Sequence, residues 1–522
     1  MKMRKKLIII GIVLAVLILL AGSGLLYLRH MMTRNVPDVS ILEAAEAATV
    51  STTGGDVMGY ISNGIYTYHG IPYASVDERF VMPTEVEPWD GVLDVSDYGS
   101  ISPQGNLLGF GGNGNDTGDN DCLNLNLWTP GIRDGKKRPV MVWFHGGGFS
   151  TGSANDPSSD GEALAAYGDV VVVGVNHRLN LYGYMDLSAY GEKYTNGGNQ
   201  GLGDLIASLQ WIHNNIEAFG GDPDNVTVFG QSGGGAKVLA LMTAPEAKGL
   251  FHKGIVQSGA TDTMGLTFAT KEQSLALTEE ILSRLSITEA NIEDIQTKSN
   301  QELQEASNAA MAVIAEKYRI PQAFGNGYAM EWGPVVDGEY LPTNPVTEDG
   351  FADAGFDVSL MIGSNLNEWA MMGASPSADS VTDEIKAEFM KAYPEESEDE
   401  ITRLDTLLRY PLLKITRHKA MQGGSAVYSY ILTYDDGIGG AYHGAEIPFV
   451  FHHADGNQLN DTISDFWVNF ARTGTPSSAN APAWEPYTLE TGAEMIIDTK
   501  PYMAYHHDFA LLKLLKPTYD LD

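Results

Sequence analysis

Six short apolar runs decide most of what this chain can fold into. Residues 140–144, 170–175, 226–229, 254–257, 358–362 and 427–432 are mostly β-branched and nearly continuous rather than alternating. A strand with one wet face alternates apolar and polar residues. A continuous run suits a strand covered on both faces, as in a parallel sheet. Helix-like segments lie between the runs. Apolar residues recur at helical spacing over 202–218, and a helix-forming stretch over 235–242 follows a run directly. Strand, helix and strand in repetition predict an α/β fold, with a central, mostly parallel twisted sheet, flanking helices and right-handed crossovers. The segment 261–328 reads as mostly helical. It is expected to cap the carboxyl ends of the strands, where such sheets bind ligands.

The N-terminus reads differently. Lys2, Arg4, Lys5 and Lys6 precede an uncharged apolar run at 7–28, about the 20 residues that span a bilayer. The basic segment 1–6 should stay in the cytoplasm and send the rest across. An uncleaved signal-anchor is the preferred reading. A cleaved signal peptide is the alternative, since Ala21, Gly22 and Ser23 offer small residues to a peptidase. Both place the remainder outside the cytoplasmic membrane, and no lipobox cysteine follows the run. Residues 29–48 read as a linker and 49–522 as one continuous domain.

Composition removes several functions. Lysine plus arginine total 32 against 67 aspartates and glutamates, a net charge of -35. Phosphate repels such a surface, so nucleic acid is not an expected partner. The acidity serves solubility, or steers cationic substrates if it gathers at a cleft. The one cysteine, Cys122, rules out an intrachain disulfide and adjoins the strand-like run Leu123-Asn124-Leu125-Asn126-Leu127-Trp128. Burial as a small hydrophobe fits it better than nucleophilic chemistry. Residues 105–121 are rich in Gly, Asn and Asp and read as a long surface loop. Residues 113–118 resemble a calcium loop, but the glutamate that closes such a loop is missing. No metal or cofactor is expected, and the oligomeric state is not set by the sequence.

The chemistry is carried by a serine. G-x-S-x-G places a serine on a sharp strand-to-helix turn. With 58 glycines the pattern alone is weak, and it occurs twice. Gly230-Gln231-Ser232-Gly233-Gly234 follows the strand-like Val226-Thr227-Val228-Phe229 and precedes the helix-forming Ala236-Lys237-Val238-Leu239-Ala240-Leu241. Gly148-Phe149-Ser150-Thr151-Gly152 runs instead into Asn155-Asp156-Pro157-Ser158-Ser159, which is loop composition. Ser232 is therefore the candidate nucleophile and Ser150 a structural loop residue. Acyl transfer also needs fixed N–H groups to hold an oxyanion. His145-Gly146-Gly147-Gly148-Phe149 follows a strand and offers them. Gly147, Gly148 and Gly233 are the expected donors.

The base and acid should follow the serine in the order carboxylate, then histidine. Glu368 lies just past the strand-like run at 358–362, in Gly363-Ser364-Asn365-Leu366-Asn367-Glu368. Asp337, in a Val335-Val336-Asp337-Gly338 turn, reads as structural. His443 sits in the loop Gly439-Gly440-Ala441-Tyr442-His443-Gly444 after a strand. His452 and His453 compete for the role, but they follow a hydrophobic run and lack the glycine setting.

Together these residues resemble the type-B carboxylesterase and cholinesterase family, which has the α/β-hydrolase fold. The resemblance runs from about Gly55 to Met495. It includes His69-Gly70-Ile71-Pro72-Tyr73-Ala74, Arg79-Phe80, Pro83, Trp89-Asp90-Gly91 and Asp121-Cys122-Leu123-Asn124-Leu125-Asn126. It continues through Gly201-Leu202-Gly203-Asp204, Phe219-Gly220-Gly221-Asp222-Pro223, His443-Gly444-Ala445-Glu446-Ile447-Pro448-Phe449 and Asn469-Phe470-Ala471-Arg472-Thr473-Gly474. The resemblance implies Ser232 as nucleophile, Glu368 as acid, His443 as base, an oxyanion hole of Gly147, Gly148 and Gly233, and an acyl-enzyme intermediate on a small carboxylic ester. It also implies a gorge lined by the cap and the 105–121 loop. There are departures. The family usually has alanine after the serine, where Gly233 stands, and often glutamate at Asn120. It usually pairs the cysteine at 122 in a disulfide. Its cholinesterases carry a tryptophan in the loop before that cysteine, where this chain has Phe110, so a dedicated cholinesterase is not expected. Two further readings are weighed. Non-catalytic adhesion proteins share the fold but typically lose triad residues, all present here. Amides, carbamates or thioesters could serve as substrates of the same machinery.

Overall fold

The computed structural model describes residues 45–104, 121–323, 327–372, 375–435, 437 and 439–519. The expected anchor at 7–28, most of the linker and residues 105–120 with the calcium-like stretch lie outside them. Among the described residues no helix is long and apolar enough to cross a membrane.

Eleven strands form the central sheet. In chain order they are β1 (Tyr60–Ser62), β2 (Ile65–Pro72), β3 (Asn124–Thr129), β4 (Arg138–Phe144), β5 (Val171–Val175), β6 (Gly221–Gln231), β7 (Lys253–Gln257), β8 (Ser359–Asn365), β9 (Val427–Leu432), β10 (Ala493–Ile497) and β11 (Tyr502–Tyr505). Across the sheet the order is β11-β10-β9-β8-β7-β6-β4-β5-β3-β2-β1. The seven strands from β10 to β5 pair in parallel. The strands beyond them pair antiparallel, as edges do in many large mixed sheets. All six apolar runs lie in the parallel part, as expected.

Burial on both faces explains those runs. Along β4, Val140, Val142 and Phe144 enter one core layer, while Met141 and Trp143 enter the other. In β8, Leu360 and Ile362 face one layer and Met361 the other. Every residue of β4 is buried, and after Arg138, which pairs with Asp134 and Asp169 at the strand's start, no position calls for a polar side chain. Cys122 is fully buried just before β3, and burial, then the charge of Asp204, pushes its thiol well above the ordinary range. It behaves as the small hydrophobe expected.

The winding of the sheet reverses at β4. From β4 the chain steps to β5 on one side, then crosses back to β6 on the other. The loops leaving β4 and β6 therefore start side by side at the carboxyl end of the sheet, the place where such sheets bind ligands. From Val140 onward the two strands stay in register to their carboxyl ends, with Phe144 opposite Gly230. The expected cap is largely helical. Thr270 caps the helix Lys271–Arg284 and Ser299 caps Asn300–Tyr318, each in a reciprocal capping box. Leu277, Ile281, Leu303, Ala306, Ala310 and Ile314 bury the inner faces of these helices. The segment leading into the cap touches the glycine loop. The Phe268 ring lies 6.2 Å from that of Phe149, edge to face.

Candidate active site

Ser232 stands between β6 and the helix Gly233–Thr243, with φ 57° and ψ -127°. Positive φ is strained for a residue with a side chain and persists only where the surroundings enforce it. Here they do. The Ser232 N–H donates to Gln257 O at 2.8 Å, and Ser232 O accepts from Gly235 N at 2.9 Å. A side chain at Gly234 would overlap Phe144 O, and one at Gly230 would lie 2.7 Å from the same oxygen. The flanking glycines thus let the turn pack onto the end of β4. Ser232 is partly exposed.

The His145–Phe149 loop leaves β4 beside this turn. A Cβ placed on Gly146 would come within 3.4 Å of Ser232 Cβ. Gly147 and Gly148 both have positive φ, 86° and 62°. Ser150 N and Thr151 N donate to Gly147 O at 3.2 and 3.1 Å. Ser150 therefore closes the loop's turn, the structural place expected of it.

The loops after β8 and β9 meet over the turn. Asn367 N donates to Ala441 O at 3.0 Å, and His443 N donates to Glu368 O at 3.1 Å. These bonds set Glu368 and His443 side by side, with 2.5 Å between His443 Nδ1 and Glu368 Oε2. Glu368 is buried and its other oxygen accepts from Asn365 N at 2.7 Å. His443 Nε2 contacts Gln231 Nε2 at 3.1 Å. An amide nitrogen only donates, so Nε2 is the accepting nitrogen and the proton sits on Nδ1, facing Glu368. Gln231, not Ser232 Oγ, holds this contact.

Two further buried carboxyls crowd Glu368. Burial first, and the Glu368 charge second, raise Asp405 to about 7 and move Glu446 in the same direction. Asp405 still accepts from the N–H groups of Leu407, Leu408 and Arg409. Glu446 accepts from Asn365 Nδ2 at 2.7 Å and Gln257 Nε2 at 3.1 Å.

The competing residues fall elsewhere. Asp337 accepts from Glu339 N, Leu341 N and Asn199 Nδ2, which makes it a turn-former. His452 pairs with Ser464 Oγ at 3.0 Å and stacks on Tyr167, and His453 is buried. Among the described residues one trio has metal-ligand spacing, Glu494, His507 and Asp508. Arg409 already donates to both carboxylates, at 2.7 and 2.8 Å, so the trio is an ion network.

Sequence reasoning missed Gln231 and Lys237. Lys237 is fully buried, and its Nζ donates to His145 O at 2.9 Å and Gly148 O at 2.8 Å. The signal was present as a lone charge in the apolar run Ala236-Lys237-Val238-Leu239.

A parallel sheet whose strand ends carry a strained serine, a glycine loop and a histidine–carboxylate pair is that of an α/β-hydrolase. The chain belongs to the carboxylesterase family, whose profile matches residues 46–404 and 374–510. It is 36% identical over 485 residues to the para-nitrobenzyl esterase of Bacillus subtilis (strain 168), covering 86% of this chain and 95% of that one. It is 29% identical to the phenmedipham hydrolase of Pseudarthrobacter oxydans, covering 85% and 94%. Among solved structures, an esterase from anaerobic Clostridium hathewayi that can hydrolyze aliphatic aromatic polyesters superposes with a TM-score of 0.81 at 35% identity. That match covers 91% of this chain and 99% of the other. The chain is thus a carboxylic ester hydrolase, and its substrate is a small-molecule ester.

Proposed function

We propose that this enzyme hydrolyses its ester through an acyl-enzyme on Ser232. Ser232 Oγ attacks the carbonyl carbon while His443 Nε2 takes its proton. Glu368 keeps the other ring proton on Nδ1 and stabilises the imidazolium. The N–H groups of Gly147, Gly148 and Gly233 hold the oxyanion of the tetrahedral intermediate. Collapse breaks the ester C–O bond, and His443 returns the proton to the leaving alcohol. Water then repeats the sequence and releases the acid. What carries this reading is the 2.5 Å His443–Glu368 pair, whose Nε2 faces the 231–232 turn. In the reaction the ring exchanges Gln231 Nε2 for Ser232 Oγ.

The test is hydrolysis of a p-nitrophenyl acyl series by the full chain and by Ser232→Ala. Turnover in the parent with only background in the variant is expected, and the chain-length profile then sizes the acyl pocket. Parent-like turnover in Ser232→Ala would contradict the reading.

We also propose, from sequence, that residues 7–28 tether the enzyme with its hydrolase domain outside the cytoplasmic membrane. Carbonate-washed membranes should retain the full chain. Recovery of the full-length chain in the soluble fraction would contradict this.

A further inference from the structure

The carbonyls of residues 145–148 in the glycine loop are all bound. His145 O and Gly148 O accept from Lys237 Nζ at 2.9 and 2.8 Å. Gly146 O contacts His145 Nδ1 at 2.8 Å. Gly147 O accepts from Ser150 N and Thr151 N. There is no cis peptide among the described residues, so in every unit the N–H points away from its carbonyl. Holding the carbonyls therefore aims the N–H groups of residues 146–149 to the other side.

Lys237 stands out in this set. It projects from the helix behind Ser232, one turn after Gly233, and is 0% exposed. Among the described residues no carboxylate pairs with it. Its partners are the two loop carbonyls and the face of Phe149, 5.3 Å from the ammonium. Burying an unpaired charge costs several kcal/mol, and an apolar side chain would avoid that cost. Burial alone lowers this ammonium to about 7. The stacked rings of His145 and His177 lie beside it, both held neutral by burial and then by the Lys237 charge. Gly233 completes the arrangement, because a Cβ there would overlap Gly148 O and lie 2.5 Å from the Gly148 carbonyl carbon. The missing side chain at 233 lets the loop come down onto the helix, and the ammonium at 237 holds it there.

We propose that Lys237 is a positioning residue for the oxyanion hole, clamping the peptide units on either side of the Gly147 and Gly148 N–H donors from behind the nucleophile. This rests on the assignment of those two N–H groups as oxyanion donors. The clamp acts on the transition state, because the Gly147 and Gly148 N–H groups, which lie between the two peptide units it holds, are needed most where the oxyanion forms.

The test compares the parent with Lys237→Met, which keeps an unbranched side chain out to the ε-carbon and removes the ammonium and its donors. With folding verified by circular dichroism, kcat on a p-nitrophenyl ester should fall about 100-fold. KM should stay within about threefold. Affinity for an alkyl trifluoromethyl ketone, which forms an oxyanionic hemiketal, should fall in proportion to kcat. Lys237→Gln, with one amide donor, should recover part of both. A folded Lys237→Met with parental kcat, or with a loss confined to KM, overturns the proposal. If Lys237→Met does not fold, Lys237→Gln decides: a joint fall of kcat and ketone affinity supports the clamp, and parental values overturn it. Turnover persisting in Ser232→Ala would instead sink the assignment of the nucleophile, so the two failures are distinguishable.

Discussion

Glu368 fixes the tautomer of its partner as well as its place. Its carboxylate accepts the Nδ1 proton of His443, which leaves Nε2 bare toward the 231–232 turn. Glu368→Gln keeps the shape but can offer an N–H to Nδ1, which moves the ring proton to Nε2. On the proposed mechanism kcat should fall by on the order of 10³–10⁴ with the fold intact. An unchanged kcat would remove Glu368 from the site. Gly233 poses a different question. A side chain there cannot fit while Gly148 O occupies the Cβ position. Gly233→Ala should push the glycine loop off the helix and lower kcat by about 10–100-fold, because a shift near 1 Å misplaces the donors. Rates equal to the parent would show that the loop yields at no cost. Only part of this was legible in the sequence. The serine, the glycine loop, Glu368 and His443 each follow a strand-like run. The Gln231 contact joins two residues 212 positions apart in the chain, which no local pattern records.

At the scale of elements, the loop after β8 and the helix Arg409–Gln422 meet at Asp405. The Asp405 carboxylate receives three backbone N–H groups at the start of that helix, the task of an N-terminal cap. Burial and the Glu368 charge nonetheless hold its pKa up, at about 7. An unfolded chain gives up this proton near pH 4. Between about 4 and 7 the native state therefore binds more protons than the unfolded state, and stability falls as pH rises. Asp405→Asn removes the titration. The stability of the parent minus that of the variant should decline from pH 4.5 to 7 and level off above, read from urea midpoints. A difference flat across that range would contradict the assignment. Six of the seven parallel strands were legible because burial on both faces leaves an unbroken apolar run, the exception being β10, whose short run is interrupted by the buried Glu494. The edges β1, β2 and β11 were not. The strand β6 also begins earlier than its apolar run, at buried Gly221 and the partly exposed Asp222 and Pro223. Lys237 was passed over because one lysine in a helical run ordinarily marks a solvent face. Here every residue of Gly233–Thr243 is buried, since the helix lies between the sheet and its surroundings on all sides.

At the scale of the molecule, the reversal at β4 places the glycine loop and the serine turn at neighbouring strand ends, and the loops after β8 and β9 close over them. Residues from about 145 to 443 then converge at one end of the sheet, while the net charge of -35 stays outside the chemistry described. The sequence held two G-x-S-x-G serines, and the fold gives each a different place: Ser232 on the strained turn, Ser150 closing a loop. The most direct test of the account follows from that difference. The enzyme is treated with a fluorophosphonate, digested, and the modified peptide located by mass spectrometry. The account predicts a single stoichiometric adduct on Ser232, formed as activity is lost. An adduct on Ser150, or loss of activity with Ser232 unmodified, would contradict it.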